Sequence, residues 1–287
     1  MFLERLKRPF STRWQRTLYI MLFAQLITAV GFSSIFPFLP LYVKSLGASS
    51  GLSVEFLAGM VFSSQAFTMM LASPFWGALA DRYGRKLMVE RAMFSGAAIL
   101  LLMAFVRSAE ELVFLRAIQG FLTGTLAAAN ALVAAEVPRN QTGYAMGLLQ
   151  TGLGAGVALG PLLGGVIADL FGYSAAFYVT SALLFLAGMM VFLGVREDFT
   201  PEERPSRRQH SLLNSWRRIF SAAGVPITYT LRFMSQLGRM MIIPVLPLFI
   251  ETLLTNTNRV NTFTGLVIGR SGLRQYDCQR NLSGTPG

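Results

Sequence analysis

The chain has 287 residues, of which 53% are hydrophobic and only 14% are charged, and its mean hydropathy is +0.51. Soluble globular domains carry about 25% charged residues, so this composition excludes an ordinary soluble domain. A single cysteine, Cys278, excludes an internal disulfide and a metal site built from cysteine alone. The net charge of +11 would fit a nucleic-acid partner. The placement of the basic residues along the chain decides whether the charge indicates nucleic-acid binding or membrane topology.

Seven apolar runs are each long enough to cross a membrane as a helix, because a hydrocarbon core of ~30 Å takes about 20 residues. Long runs without strict alternation exclude a transmembrane β-barrel. The runs, which we call the first to seventh spans, lie at Thr17–Val43, Val54–Ala80, Leu87–Val106, Leu112–Val137, Tyr144–Ala168, Ala175–Val195 and Val225–Leu254. The first run is too long for the core of a signal peptide, so it is expected to remain as an uncleaved span.

The basic residues fall mainly in alternate connections between the spans. Sixteen of the 25 Lys and Arg lie in the N-terminal segment and in the second, fourth and sixth connections, whereas three lie in the odd-numbered connections. This asymmetry is the positive-inside pattern, which predicts a cytoplasmic N-terminus. The positive charge therefore indicates topology in a bacterial plasma membrane, with the lipid bilayer as partner and no nucleic acid.

Two internal repeats indicate how the spans are organised. The stretch GALADRYG at 77–84 recurs 88 residues later as GVIADLFG at 165–172, and the copies end the second and fifth spans. Three spans separate the copies, so they face opposite sides of the membrane. This is typical of an inverted repeat of three plus three spans.

The second repeat relates the first span to the seventh. PFLPLYV at 37–43 matches PVLPLFI at 244–250, an offset of 207 residues with the same orientation. Parallel halves that each contain inverted repeats are a transporter architecture, and chance similarity between apolar helices is the alternative. The polar stretch 196–224 is then a cytoplasmic linker between a complete six-span N-terminal half, 1–195, and a partial second half, 225–269.

The loop after the second span carries glycines, one acid and several basic residues. The motif consists of Gly77, Asp81, Arg82, Gly84, Arg85 and Lys86. It resembles the signature loop of the major facilitator superfamily, and the resemblance implies the all-α major facilitator fold and a conformational latch between its two halves. Gly77 would allow two helices to approach closely, and Asp81 could bind a helix N-terminus or an arginine. The alternative is a basic loop that serves topology alone, which would leave Asp81 and the glycines unexplained.

A cation inside the membrane is predicted in the fourth span. Arg116 lies more than one helical turn inside it, where a charge is costly and a functional role is the default interpretation. Together with Gln119 and Gly120, Arg116 resembles the fourth-helix motif of twelve-span drug–proton antiporters, whose arginine is implicated in proton coupling. An arginine that snorkels to the interface is the alternative.

Small residues recur along the fifth span, where they allow tight packing and a bend. They resemble the antiporter motif associated with exporters, and the set is Gly147, Gly156, Gly160, Pro161, Gly164 and Gly165. In the first span, Gly31, Pro37 and Pro40 resemble a motif of the same antiporters. The stretches PFWG at 74–77 and PRN at 138–140 bring the resemblance closest to multidrug exporters.

The first span departs from the antiporter pattern. It lacks the carboxylate to which several relatives bind the proton, and Gln25 is its only strongly polar side chain. The acids nearest the membrane are at helix ends, so the proton carrier is not identified; they are Asp81, Glu136 and Asp169. Phe32, Phe62, Phe67 and Phe121 are candidates to line an apolar cavity, although lipid-facing or core positions are commoner for such residues.

The family pattern stops near Gly269. An eighth span should begin near Asn261, but only the eight residues from Thr262 to Gly269 are apolar, a rise of about 12 Å as a helix. The remainder, 270–287, is an aberrant polar tail, for which a frameshift is the preferred interpretation and a natural short tail the alternative. We expect this C-terminally truncated chain to be inactive alone, because a facilitator binds substrate between two halves that rock against each other.

The expected function is efflux of drugs or other small amphipathic compounds, coupled to proton entry by alternating access in a monomeric protein. The proton is the coupling ion implied by the resemblance, and no metal or organic cofactor is expected. A sugar or metabolite exporter of the same superfamily and a non-transporting membrane fragment are the alternatives. An enzyme is disfavoured, because the sequence shows no nucleophile–base pair, metal-ligand cluster or phosphate-binding loop.

Overall fold

The computed structural model describes residues 13–48, 51–197, 221, 224–253 and 260–270. Every regular element in these residues is a helix, which confirms the predicted all-α fold. Most of the predicted linker, 196–224, and the polar tail beyond residue 270 lie outside the described residues. The interpretations of these two segments as a linker and an aberrant tail therefore remain predictions.

The helices follow the predicted spans, with two spans divided. The first span consists of Arg13–Ile35 and Leu39–Leu46, and the fourth of Ala109–Leu122 and Thr125–Glu136. The second, third, fifth, sixth and seventh spans are single helices: Val54–Tyr83, Arg85–Met103, Thr142–Phe171, Tyr173–Gly194 and Val225–Leu253. A short 3-10 helix, Arg139–Gln141, precedes the fifth span. A further helix over 260–270 occupies the start of the predicted eighth span.

Backbone chemistry explains the two divisions. Pro37 and Pro40 have no N–H to donate, so the first helix ends at Ile35 and the next begins with Pro40 in its first turn. Gly124, between the two parts of the fourth span, adopts φ of 141°, a conformation that favours glycine. Neither break was part of the predicted spans.

In the part of the chain that the structure describes, five helical segments are long and apolar enough to cross a membrane by length and composition. They are Arg13–Ile35, Val54–Tyr83, Ala109–Glu136, Arg139–Phe171 and Tyr173–Gly194. The third span is helical but is not among them, since Arg85, Lys86, Glu90 and Arg91 occupy its first two turns. The seventh span, a helix of 29 residues, is not among them either.

The first span lies at the centre of the bundle. It packs along the fifth and sixth spans, while the second span packs against the fourth and the third against the sixth. Side chains at the middle of this arrangement are fully buried, including Leu18, Met21, Phe38, Met93 and Phe177. The arrangement places the first span between two neighbours that are not adjacent to it in sequence.

The fifth span approaches the first span through a row of glycines. A Cβ at Gly156 would lie only 2.7 Å from the carbonyl oxygen of Leu26, and a Cβ at Gly164 would overlap the backbone of Ser34. Gly160, one turn from each, is in the same row and equally crowded. Only glycine permits this close backbone approach. In lipid the hydrophobic effect does not drive helices together, so the van der Waals contacts of such close packing stabilise the helix pair instead.

A different face of the fifth span contacts the 260–270 helix. A Cβ at Gly165 would overlap the carbonyl of Asn261, and a Cβ at Gly265 would overlap the carbonyl of Pro161. The antiporter-like motif thus serves two interfaces, one with the first span and one with the start of the second half.

Two of the predicted glycines behave differently. A Cβ at Gly77 or Gly147 would meet no atom within 4 Å. The close helix approach predicted for Gly77 is therefore not made within the described residues.

The two ends of the bundle differ in their charge and in their contact with the seventh helix. The end at which the first span begins, which we call the basic end, also carries Arg82, Arg85 and Lys86. At the opposite end, Lys44 of the first span forms an ion pair with Glu251 of the seventh, with Nζ and Oε2 2.9 Å apart. Residues 226–238, which lie toward the basic end of the seventh helix, are all exposed. The seventh helix therefore meets the six-span half at the opposite end.

Substituting Gly156 by leucine should lower the stability of the bundle, whereas the same change at Gly147 should not. The leucine at 156 would force the first and fifth spans apart, an overpacking cost of about 1–3 kcal/mol, while position 147 is open. Thermal unfolding of the two purified variants in the same detergent, followed by circular dichroism, gives the comparison. Equal loss in both variants would contradict the predicted close packing at Gly156.

Candidate functional site

A cavity of about 280 Å³ lies between the first five spans, next to the breaks in the first and fourth. Its polar lining is uncharged and includes Gln25, Thr28, Ser33, Gln65 and Thr123. The rest of the lining is apolar, and it consists of Ala29, Phe32, Phe36, Met69, Met93, Gly124, Leu153 and Val157. Mostly apolar walls with a few polar groups are typical of a site for a small organic molecule.

The four phenylalanines proposed for a cavity have different positions. Phe32 lines the cavity, and Phe62 stacks on the cavity residue Phe36 with ring centroids 5.9 Å apart. Phe67 and Phe121 are exposed on the surface of the bundle. Composition alone could not separate these cases, because both cavity and lipid favour aromatic side chains.

Arg116 lies one side chain behind the cavity wall. It is buried, with 3% of its surface exposed, and its Nη1 donates to Oε1 of Gln65 at 3.0 Å and to Oε1 of Gln119 at 3.2 Å. Within the described residues, Nε and Nη2 of Arg116 and Nε2 of Gln119 have no hydrogen-bond acceptor. A buried cation with unsatisfied donors is unfavourable for stability, which makes a functional role the better explanation.

Gly120 fixes the position of Gln65 relative to Arg116. A Cβ at Gly120 would overlap the carbonyl of Gln65 and the hydroxyl of Thr68. The Thr68 hydroxyl in turn donates to the carbonyl of Ala117 at 2.7 Å. The second and fourth spans are therefore held in contact where Arg116 meets Gln65. Isolated glutamine and threonine residues form no motif, so neither Gln65 nor Thr68 could be recognised from the sequence.

The first-span motif holds the cavity wall against the sixth span. A Cβ at Gly31 would lie 3.2 Å from Cγ2 of Thr180, and the hydroxyls of Ser34 and Thr180 are 3.0 Å apart. Pro37 lies in the turn that ends the helix, and Pro40 lies in the first turn of the next one. These three motif residues shape the first span and do not line the cavity.

The latch-like motif lies at the basic end. Asp81 and Arg82 are exposed there, and Gly84 adopts φ of 98° at the turn into the third span. Arg85 donates from Nη1 to the carbonyl of Ala131 at 3.1 Å, and Lys86 donates from Nζ to the carbonyl of Phe192 at 3.2 Å. The basic residues of the motif thus join the third span to the fourth and sixth.

An acid that the sequence analysis missed anchors this motif. Glu197, just after the sixth span, accepts from the backbone N–H of Arg85 at 3.1 Å and from that of Lys86 at 2.7 Å. A carboxylate at a helix N-terminus satisfies unpaired N–H groups and the helix dipole. Its position two residues after Val195, the last apolar residue of the six-span half, was the available signal.

Another charge of the third span is covered by an aromatic ring. Cζ of Arg91 lies 3.3 Å from the ring centroid of Trp76, and its Nη1 donates to the carbonyl of Leu122 at 2.9 Å. Trp76 also donates from Nε1 to the carbonyl of Phe121 at 2.6 Å. These contacts let a charged residue enter an otherwise apolar span.

Known proteins resemble this chain over most of its length. The model of the Major Facilitator Superfamily matches residues 21–269. The Multidrug resistance protein MdtG of Rahnella sp. (strain Y9602) is 35% identical over 269 residues, which are 92% of this chain and 64% of the relative. The protein of the same name from Enterobacter lignolyticus (strain SCF1) is 36% identical, over 91% of this chain and 62% of the relative. The chain thus spans less than two thirds of the length of these relatives.

Solved structures show the same fold. An auto-inhibited POT family peptide transporter superposes with a TM-score of 0.57 at 16% identity, over 90% of this chain and 51% of the other. The POT family transporter PepTSo superposes with a TM-score of 0.58 at 16% identity, over 94% and 55%. The family model matches most of this chain. This multi-pass membrane chain therefore belongs to the major facilitator superfamily.

Proposed function

We propose that the assembled transporter exports amphipathic small molecules in exchange for protons, and that this six-span half supplies one wall of the substrate path. The observation that carries the proposal is the contact of Arg116 with Gln65, which places a buried cation directly behind an apolar cavity. The names of the relatives, multidrug resistance proteins, support the choice of substrate class.

The role proposed for Arg116 is electrostatic. Its unsatisfied N–H groups would stabilise the deprotonated form of a carboxyl group that comes within reach, so they would lower the proton affinity of that group. Substrate entering the cavity would displace Gln65 or alter its hydrogen bond to Arg116. Binding of substrate and binding of a proton would then compete, which is what exchange requires.

The motif of Gly77 to Lys86 is proposed as the latch of the basic end, which the positive-inside pattern assigns to the cytoplasm. Arg85, Lys86 and Glu197 fix the loop to the six-span half, which leaves Asp81 exposed at the end of the second span. An exposed carboxylate on a fixed loop is suited to bind a helix N-terminus of the other half when this end closes.

Transport is tested best with the second half of a relative supplied. In inverted membrane vesicles from cells that produce this chain together with the second half of the Rahnella relative, we expect an acid interior to drive uptake of an amphipathic fluorescent dye. A protonophore should abolish the uptake, and vesicles with this chain alone should show none. Uptake that a protonophore does not affect would contradict proton coupling, and uptake of sugars but not of the dye would favour a metabolite exporter.

Replacing Arg116 by methionine should raise stability and abolish transport. Methionine fills a similar volume without the buried charge, so thermal stability should rise, while proton-dependent uptake falls to background. Arg116→Lys is the matched control, because it keeps the charge but loses the forked contact with two glutamines. Unfolding midpoints and dye uptake are measured on both variants. Lower stability with unchanged uptake in Arg116→Met would contradict the proposed role.

A further inference from the structure

Asp169, at the end of the fifth span, binds the start of the 260–270 helix with both carboxylate oxygens. Oδ1 accepts from the backbone N–H of Asn261 at 3.3 Å and from its Nδ2 at 2.7 Å. Oδ2 accepts from the backbone N–H of Thr262 at 2.8 Å and from its hydroxyl at 2.6 Å. Four donors from one helix start thus converge on one carboxylate that is partly buried.

Charge strengthens this contact in two ways. The first N–H groups of a helix have no partner within the helix, and the helix dipole places partial positive charge at that end. Hydrogen bonds to an ionised carboxylate are shorter and stronger than neutral ones. Asp169 therefore binds the 260–270 helix more strongly than side-chain packing alone would.

Gly165 makes the approach possible. It lies one turn before Asp169, and a Cβ there would overlap the carbonyl of Asn261. Glycine and aspartate four positions apart thus act together, the first admitting the helix and the second binding its N–H groups. The same pair, Gly77 and Asp81, ends the second span at the basic end.

A second contact closes the same end of the molecule. The ion pair of Lys44 with Glu251 joins the first span to the seventh. Both residues lie at the end of the bundle where Asp169 binds the 260–270 helix. Toward the basic end, residues 226–238 of the seventh helix are exposed. The second-half helices are thus held to the six-span half at the end opposite the basic end.

We infer that Asp169 is a conformational latch, which holds the transporter closed at the end opposite the basic end and releases the 260–270 helix when access switches. The inference rests on the alternating access proposed above. The two glycine–aspartate pairs of the inverted repeat then act at opposite ends of the molecule. Asp169 acts in the described state, which is closed at the end opposite the basic end, and Asp81 acts in the state that is closed at the basic end. A purely structural cap would stabilise the fold equally in every state, and this difference makes the latch testable.

Distances between spin labels at both ends distinguish the latch from a structural cap. In the full chain with Cys278→Ser, one pair of labels at Phe105 and Leu253 reports the end opposite the basic end, and a second pair at Tyr83 and Ile227 reports the basic end. All four side chains are exposed. Double electron–electron resonance in lipid nanodiscs then gives both distances without any transport.

Asp169→Asn should shift the ratio of closed to open molecules by about tenfold, because it removes the charge from all four hydrogen bonds. The distance at the opposite end should lengthen and that at the basic end should shorten. Thr262→Val, which removes only the hydroxyl donor, should give a smaller shift in the same direction. Ser108→Ala is the matched control, since Ser108 caps a helix at the same end but within the six-span half, accepting from Glu111 N–H at 3.3 Å. It should change neither distance.

Two outcomes for Asp169→Asn would overturn the inference that Asp169 is a latch. Unchanged distances would mean that Asp169 does not control access, and longer distances at both ends would mean that the substitution only loosens the fold. These outcomes are independent of the vesicle assay. Absent dye uptake with reciprocal distance changes would reject the proposed export and leave the latch in place. Dye uptake with unchanged distances would do the reverse.

Discussion

The fifth span must bring its backbone against two different helices at once, and most of the structure follows from this constraint. Gly156, Gly160 and Gly164 admit the first span on one face, while Gly165 admits the 260–270 helix on another. Glycines weaken a helix by roughly 0.5–1 kcal/mol each, so close backbone packing in lipid has to offset that cost. Through the first span the fifth positions Gln25 and Ser33 in the cavity wall, and its own Asp169 binds the start of the 260–270 helix.

The buried charge of Arg116 connects this packing to chemistry. Gly120 brings the fourth span against Gln65, and Gln65 both lines the cavity and accepts from Arg116. The unsatisfied donors of Arg116 are unfavourable for folding, which is the usual sign of a group kept for function. The cavity and Arg116 thus share Gln65, so a ligand that displaced Gln65 would also change the hydrogen bonding of Arg116.

Composition and repeats predicted the apolar spans and their order, because apolar length and internal symmetry are local properties of the sequence. They did not predict the break at Gly124, since nothing in an apolar run shows where its backbone turns. Nor could glycine spacing show that Gly156 is crowded while Gly77 and Gly147 are open. Gln65 and Glu197 belong to no motif, and their partners lie about 50 and 110 positions away in the chain, so only the fold brings them together.

Hydrogen exchange of two variants at adjacent positions tests most directly that the fifth span joins two interfaces. A Cβ at Gly164 would overlap Ser34 of the first span, and a Cβ at Gly165 would overlap Asn261. In Gly164→Leu, mass spectrometry should show faster exchange in the first span around Ser34, with residues 260–270 unchanged. In Gly165→Leu, residues 260–270 should exchange faster and the first span should keep its protection. Faster exchange of the same segment in both variants would contradict the two-interface packing.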